Sequence, residues 1–160
     1  MSHPSLGMPP RDLHAGDPAA AAAIRSAGAR LSARALAAAI DIDPTMKDRH
    51  DELARQSLQA DLQAFVDRLI VAVSSGDPRA MATFADLVAV RYRKRKVSMD
   101  DVITLCEGLR RAAGSVVEPA AQPTIDEAID EAIAVFKWNR RLAGDARKRN
   151  PLIAFIYRGA

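Results

Sequence analysis

The chain has 160 residues, a formal net charge of +3 at pH 7 and one cysteine. This length predicts a single domain, and a chain of this size buries roughly 68–70% of its unfolded surface, which is enough for a core. One cysteine excludes an internal disulfide and a cysteine cluster for zinc or an iron–sulfur centre. The sequence has neither an apolar run of the roughly 18 residues that read as a membrane-spanning helix nor a recognisable signal peptide. We therefore expect a cytoplasmic protein without a membrane span.

The N-terminal part combines a tail with a first helix. Residues 1–17 are rich in proline and glycine and show no hydrophobic periodicity, which predicts a flexible tail. Asp17 and Pro18 are typical of the N-cap and the first position of a helix, and the alanine-rich stretch after them predicts a helix to Ile40. Gly28 weakens the middle of this helix by roughly 1 kcal/mol relative to alanine. We expect its first half to fray and its second half to pack.

A long amphipathic helix is predicted from Asp51 to Ser75, where Gly76 ends it. Its apolar residues recur at helical spacing on one wide stripe, which is typical of a surface helix that packs on a core. The stripe consists of Leu53, Leu58, Leu62, Phe65, Val66, Leu69, Ile70 and Val73.

Two further helices are predicted on either side of a basic run. Asp77 and Pro78 predict the start of the first, as N-cap and first helical residue, and it ends in the basic run Arg91–Lys96. Its apolar stripe consists of Met81, Phe84, Ala85, Leu87, Val88 and Tyr92. Ser98 and Asp101 form a capping box that opens the second. The apolar face of that helix consists of Val102, Ile103, Cys106 and Leu109.

The last long helix is predicted after a break from Gly114 to Pro123. Thr124 and Glu127 form a second capping box, and the helix runs from Ile125. Its inward residues are Ile125, Ile129, Ile133 and Phe136. The acidic residues of its first turns, which suit the positive end of the helix dipole, are Asp126, Glu127, Asp130 and Glu131.

The predicted architecture is all-α, with five or six helices in a bundle over residues 18–144 and a basic and apolar C-terminal segment over residues 145–160. Asn150 and Pro151 can start a short helix in this segment. Its apolar side chains predict docking, either onto the chain's own bundle or onto a partner. The docking candidates are Leu152, Ile153, Phe155, Ile156 and Tyr157.

The sequence lacks the residues of common catalytic and cofactor sites. The histidines are His3, His14 and His50, so the second half of the chain offers none to bind haem iron as in a globin. A Glu-x-x-His pair for a di-metal site and a glycine-rich phosphate loop are also missing from the sequence. Cys106 has no histidine in its half of the chain, which favours a buried thiol over a nucleophile. We predict no enzyme activity and no metal or other cofactor.

Two basic clusters are the clearest charge features of the sequence. In one interpretation they bind phosphates or an acidic partner. In the other, the cations of the first cluster only complement the dipole at the end of their helix. The candidate residues are Arg91, Arg93, Lys94, Arg95, Lys96, Arg147, Lys148 and Arg149.

A pattern of motifs runs from Leu36 to Ala113. An initial helix ends near D-x-D-P, and a long amphipathic helix follows. Next come S-G-D-P-R-A, F-A-D-L four residues later, a basic helix end, V-S-M-D-D-V-I and L-R-R-A-A. The pattern resembles the N-terminal, non-haem globin-like sensor domain of RsbR-type stressosome proteins and related domains of PucR-like helix-turn-helix regulators. The resemblance implies a globin-like bundle that dimerises, binds no haem, and passes a signal or scaffolds an assembly.

Members of that family usually continue into an output domain, and the stretch after Gly114 is too short for one, so we expect any output to act in trans. The sequence therefore predicts a non-catalytic regulatory or scaffolding module that contacts a protein partner and forms a homodimer. The alternative is a nucleic-acid-associated protein that binds through the basic clusters. The mild net charge predicts that such binding is weak and non-specific.

Overall fold

The chain folds into a bundle of helices. The computed structural model describes residues 16–143, and this range contains seven α-helices, one 3-10 helix and no strand. The helices are α1 (Pro18–Ala27), α2 (Ala29–Ile42), α3 (Met46–Arg49), α4 (Glu52–Ser75), α5 (Arg79–Lys94), α6 (Met99–Gly114), the 3-10 helix (Pro119–Ala121) and α7 (Gln122–Ala143). The all-α prediction is confirmed, and the globin-like arrangement of the helices stays a prediction.

Two predicted segments fall wholly or largely outside the described residues. One is the N-terminal tail, apart from its last two residues. The other is the C-terminal segment 145–160, with its cluster Arg147–Arg149 and its docking candidates from Leu152 to Tyr157. Among the helices of residues 16–143, none has the length and apolar character needed to cross a membrane.

The first predicted helix is two helices in the structure. Gly28 separates α1 from α2 at φ 49° and ψ −134°, a conformation that glycine adopts more readily than other residues. Asp17 caps α1 as predicted, because its side chain accepts the N–H of Ala20 at 2.8 Å. The expected fraying of this part was wrong, since α1 packs against α4 with Ala21 and Ile24 buried. This break and the short α3 raise the number of α-helices above the predicted five or six.

Helix α4 agrees with its prediction except at one residue. Asp51 is the N-cap and accepts the N–H of Ala54 at 2.8 Å, while Gly76 ends the helix in the left-handed conformation. The predicted apolar stripe is buried from Leu58 onward. Leu53 is 73% exposed, so its prediction was wrong. It lies in the first turn of α4, where packing partners do not yet cover that side of the helix.

Helix α5 begins at Arg79, one residue later than predicted, and Asp77 accepts the N–H of Arg79 at 3.0 Å. Met81 and Val88 are buried, as the stripe predicts. Leu87 is 62% exposed, so its assignment to the buried stripe was wrong. The physical reason is the narrow contact of α5 with its neighbours, which leaves this side of the helix in solvent.

Helix α6 begins where the sequence predicts, whereas α7 begins earlier than predicted. Ser98 opens α6 as predicted, because its hydroxyl oxygen accepts the N–H of Asp101 at 3.1 Å. Helix α7 begins at Gln122, earlier than the predicted cap Thr124. Pro123 therefore lies inside the first turn, where its missing N–H needs no helical partner.

Helix α6 lies at the centre of the packing, with α2 on one side and α7 on the other. Gly108 allows the close contact with α2, because a Cβ at this position would collide with backbone atoms of Ala35 and Ala39. Helix α4 packs on α1, α2 and α5, and α5 packs on α7. The ring centroids of Phe65 on α4 and Phe136 on α7 are 6.0 Å apart within the core.

Candidate functional site

The basic run at the end of α5 is divided between internal contacts and solvent. Arg93 donates to Oδ1 of Asn139 on α7 at 2.6 Å, and Arg95 pairs with Oδ2 of Asp61 on α4 at 2.5 Å. Both side chains thus help to hold neighbouring helices. The exposed cations of the run that form no ion pair with residues 16–143 are Arg91, Lys94 and Lys96.

Lys96 has a backbone conformation that is rare for residues other than glycine, with φ 60°. The N–H of Lys96 donates to the carbonyl of Arg93 and that of Val97 to the carbonyl of Tyr92, both at 3.0 Å. These are the two hydrogen bonds of a Schellman motif, whose left-handed position is usually glycine. A lysine there costs roughly 1–2 kcal/mol of backbone strain.

Large apolar side chains lie on the outside of α5 and α7, which pack side by side. On α5, Leu87 and Val90 are 62% and 50% exposed, and on α7 Trp138 is 59% exposed. Leu87 and Val90 share one side of α5 with Thr83 and Lys94, at helical spacing. We call these three exposed side chains, Leu87, Val90 and Trp138, the outer face, and Leu87 also borders Arg68 of α4. The helical spacing of Leu87 and Val90 is the sequence signal from which the α5 part of the outer face could have been found.

Helices α5 and α7 run in the same direction. Near the start of α5, Arg79 interacts electrostatically with Glu131, and near its end Arg93 bonds to Asn139. Charge is consequently separated along the outside of the pair. Apart from Arg79, which pairs with Asp77 at 3.1 Å, acidic residues lie at the beginning and cations at the end. The acidic residues are Glu127 and Glu131, and the cations are Arg91, Lys94 and Lys137.

A pocket of about 320 Å³ lies between α4 and α5. Its lining combines apolar and aromatic side chains with three charged ones. The lining residues are Asp61, Ala64, Phe65, Phe84, Val88, Arg91, Tyr92 and Arg95. Burial raises the pKa of Tyr92 above its usual value, so the phenol is neutral at physiological pH. The sequence could not have indicated this pocket, because it depends on how two helices separate.

A buried ionic cluster joins α3 to α6. Asp101 is 2% exposed, and its Oδ1 accepts from Nη2 of Arg49 at 2.6 Å while its Oδ2 lies 3.0 Å from Nε2 of His50. Arg49 also pairs with Oδ2 of Asp43 at 2.8 Å. The hydrogen bond to Asp101 raises the pKa of Arg49, so the guanidinium stays charged. The sequence predicted Asp101 only as a capping residue and did not reveal this role.

The acidic residues of α7 do not lie in its first turn, so that prediction was wrong, because the helix begins at Gln122. Two of them instead bind α6. Arg110 donates to Oδ1 of Asp126 at 3.1 Å and to Oδ1 of Asp130 at 2.5 Å. Burial lowers the pKa of Arg110, but its hydrogen bonds to Asp130, Asp126 and Glu107 outweigh this effect and raise it. The acidic patch is therefore part of the α6–α7 contact.

Cys106 is buried, and burial raises the pKa of its thiol to about 12. The thiol is therefore protonated at neutral pH, where a nucleophilic cysteine would need the thiolate. In the part of the chain that the structure describes, no group of three or more His, Cys, Asp and Glu side chains is placed to hold a metal ion.

Two features thus stand out as candidate functional sites. One is the outer face of α5 and α7 with its separated charges, and the other is the pocket between α4 and α5. Comparisons of the chain with protein-family models, curated proteins and solved structures found no match.

Proposed function

We propose that the protein is a non-catalytic regulatory or scaffolding module that acts through protein–protein contacts. The outer face carries this proposal, because it places three large apolar side chains in solvent on two adjoining helices. A fully buried large apolar side chain contributes about 1.5–3 kcal/mol relative to an exposed one. Tryptophan is also enriched among the residues that dominate binding energy at protein interfaces. A partner that covers the outer face therefore gains substantial binding free energy.

A second copy of the chain suits this face by charge. In a two-fold arrangement with antiparallel α5 helices, the basic end of one copy meets the acidic beginning of the other. Lys94 and Lys137 then approach Glu127 and Glu131 of the second copy. This complementarity supports a homodimer, as does the resemblance of the sequence to a dimerising globin-like sensor domain. Such charge pairs contribute more to orientation and association rate than to affinity.

Nucleic-acid binding through the basic clusters is the second candidate, and the exposed cations at the end of α5 are the observation in its favour. Arg93 and Arg95 already bind Asn139 and Asp61, so they are not available for phosphates without losing these contacts. The three remaining cations predict a log–log salt dependence with a slope of about −3. Binding of that kind is weak and does not depend on nucleic-acid sequence.

The proposal is tested by photo-crosslinking in cells. A benzophenone amino acid replaces Leu87 in one variant and Leu53 in a matched control, which is also an exposed leucine but lies outside the outer face. We expect discrete adducts from position 87 and few from position 53. Adducts with a protein partner or a second copy should be sensitive to protease and resistant to nuclease.

Two outcomes would contradict the proposal. Equal labelling from both positions would mean that the outer face is no more engaged than other exposed apolar sites. Nuclease-sensitive adducts from position 87 would favour the nucleic-acid candidate.

A further inference from the structure

The pocket between α4 and α5 has an apolar wall. The rings of Phe65 and Phe84 pack edge to face, with centroids 5.0 Å apart and ring planes at 82° to each other. Val88 and Ala64 complete this side of the pocket. Known small-molecule sites are concave, mostly apolar and supplied with a few polar groups that orient the ligand. The pocket is concave and this wall is apolar, so it has the first two of these properties.

The other side of the pocket carries net positive charge. Two guanidinium groups, Arg91 and Arg95, and one carboxylate, Asp61, leave a charge of +1. Arg95 is paired with Asp61 at 2.5 Å, whereas Arg91 forms no ion pair with any described residue. A planar guanidinium binds a carboxylate through two parallel hydrogen bonds, so Arg91 is suited to an anionic group.

We propose that this pocket binds a small carboxylic acid with an apolar body. The carboxylate binds Arg91, and the body lies against Phe84 and Val88. The pocket volume of about 320 Å³ corresponds to about ten non-hydrogen atoms, at the roughly 30 Å³ that one water molecule occupies in the liquid. The ligand class is therefore a monocarboxylate with a short aromatic or alkyl chain.

This inference goes beyond the proposed protein contacts and does not depend on them. Leu87, Val90 and Trp138 do not line the pocket. A ligand could therefore bind whether or not a partner covers the outer face, and each proposal can fail without the other.

The experiment measures binding of hydrocinnamate to the full chain by isothermal titration calorimetry. We expect a Kd below about 1 mM, the modest affinity of a ligand this small. Hydrocinnamyl alcohol has nearly the same shape without the charge and should bind at least about tenfold more weakly, because it loses the ionic hydrogen bonds. This comparison separates an acid site from a purely apolar cavity.

Two charge variants locate the site. Arg91→Gln should weaken hydrocinnamate binding by about tenfold, because it removes the charge-assisted hydrogen bonds. Lys94→Gln removes the same charge from the same helix, but Lys94 does not line the pocket. The Kd of this variant for hydrocinnamate should therefore match that of the unmodified chain. Ala64→Leu fills the pocket and should abolish binding, while circular dichroism checks that this variant keeps its helices.

Each result supports or overturns the inference. Failure of the unmodified chain to bind hydrocinnamate or octanoate at millimolar concentration would show that the pocket is not a site for such acids. Equal binding of acid and alcohol, or equal weakening by Arg91→Gln and Lys94→Gln, would also contradict it. Undiminished binding by folded Ala64→Leu would place the ligand elsewhere on the molecule.

Discussion

The α2–α6 contact and the α5–α7 pair use their residues in opposite ways. Between α2 and α6, Gly108 brings the backbones close together, and nearby Asp101 holds Arg49 and His50 in a buried cluster. Along α5 and α7, by contrast, Leu87, Trp138 and several cations lie in solvent. The residues between α2 and α6 therefore stabilise the fold, whereas the exposed residues of α5 and α7 can contact a partner. Substitutions between α2 and α6 should accordingly lower the stability of the fold, whereas substitutions on the outer face should change the affinity of association.

The largest expected effect is on folding, from Asp101→Ala. The substitution removes a buried carboxylate that accepts from Arg49 and His50. Loss of a buried hydrogen-bond acceptor typically costs about 1–3 kcal/mol, and more where the bonds are charge-assisted, because the groups that donated to it lose their partner. Arg49 keeps its contact with Asp43. We expect a loss of this size in the free energy of unfolding, measured by urea denaturation.

The matched control is Asp130→Ala, which removes an exposed partner of Arg110. Exposed ion pairs usually contribute less than about 1 kcal/mol. If Asp101→Ala were no more destabilising than this control, the buried cluster would not stabilise the fold as described.

Gly108→Ala tests the close approach of α2 and α6. A Cβ at this position would overlap the backbone of Ala35 and Ala39, so the helices must move apart. Overpacking of this kind costs about 1–3 kcal/mol, and thermal unfolding should show a clear fall in Tm. Gly114→Ala is the control in the same helix, because its Cβ would meet only the end of the flexible Gln122 side chain. A Tm for Gly108→Ala equal to that of the control would contradict the packing described for α2 and α6.

Leu87→Glu should change association and leave folding nearly intact. It places a charge on the outer face, where we propose that a second copy packs. The dimer Kd from sedimentation should rise by at least about tenfold, or 1.4 kcal/mol. The unfolding free energy of the monomer should change by less than about 0.5 kcal/mol, as for other surface substitutions. Leu53→Glu is the control and should leave the dimer Kd unchanged.

Lys96→Gly should produce the smallest effect, a gain in stability of about 0.5 kcal/mol. Glycine removes the strain of the left-handed conformation but increases the entropy of the unfolded chain, so the two effects partly cancel. Lys96→Ala removes the charge and keeps the strain, so it should not show this gain. Equal stability of the two variants would mean that the backbone conformation at position 96 carries no measurable cost.

Features set by neighbouring residues could be predicted from the sequence. Asp51 and Gly76 fix the ends of α4, and Ser98 opens α6, because capping depends on a few adjacent side chains. The exposure of Leu87 and the burial of Asp101 could not be predicted in the same way. Both depend on which helix lies opposite, and hydrophobic spacing does not specify that neighbour.

The candidate sites show the same difference between features set by neighbouring residues and features set by helix packing. The basic run Arg91–Lys96 was visible in the sequence, but its division between solvent and the partners Asn139 and Asp61 was not. The pocket between α4 and α5 had no local signal, because two helices far apart in the chain form it together. Periodicity thus predicted the helices, and only their packing defined the surfaces between them.

If the outer face of α5 and α7 is a contact surface, the fluorescence of Trp138 reports on it most directly. Trp138 is the sole tryptophan of the chain and belongs to that face. On dilution, its emission should shift to longer wavelength and its quenching by acrylamide should increase, as light scattering falls from twice 17.2 kDa to 17.2 kDa. Solvent-exposed emission that is independent of concentration, with a mass of 17.2 kDa throughout, would contradict self-association through this face.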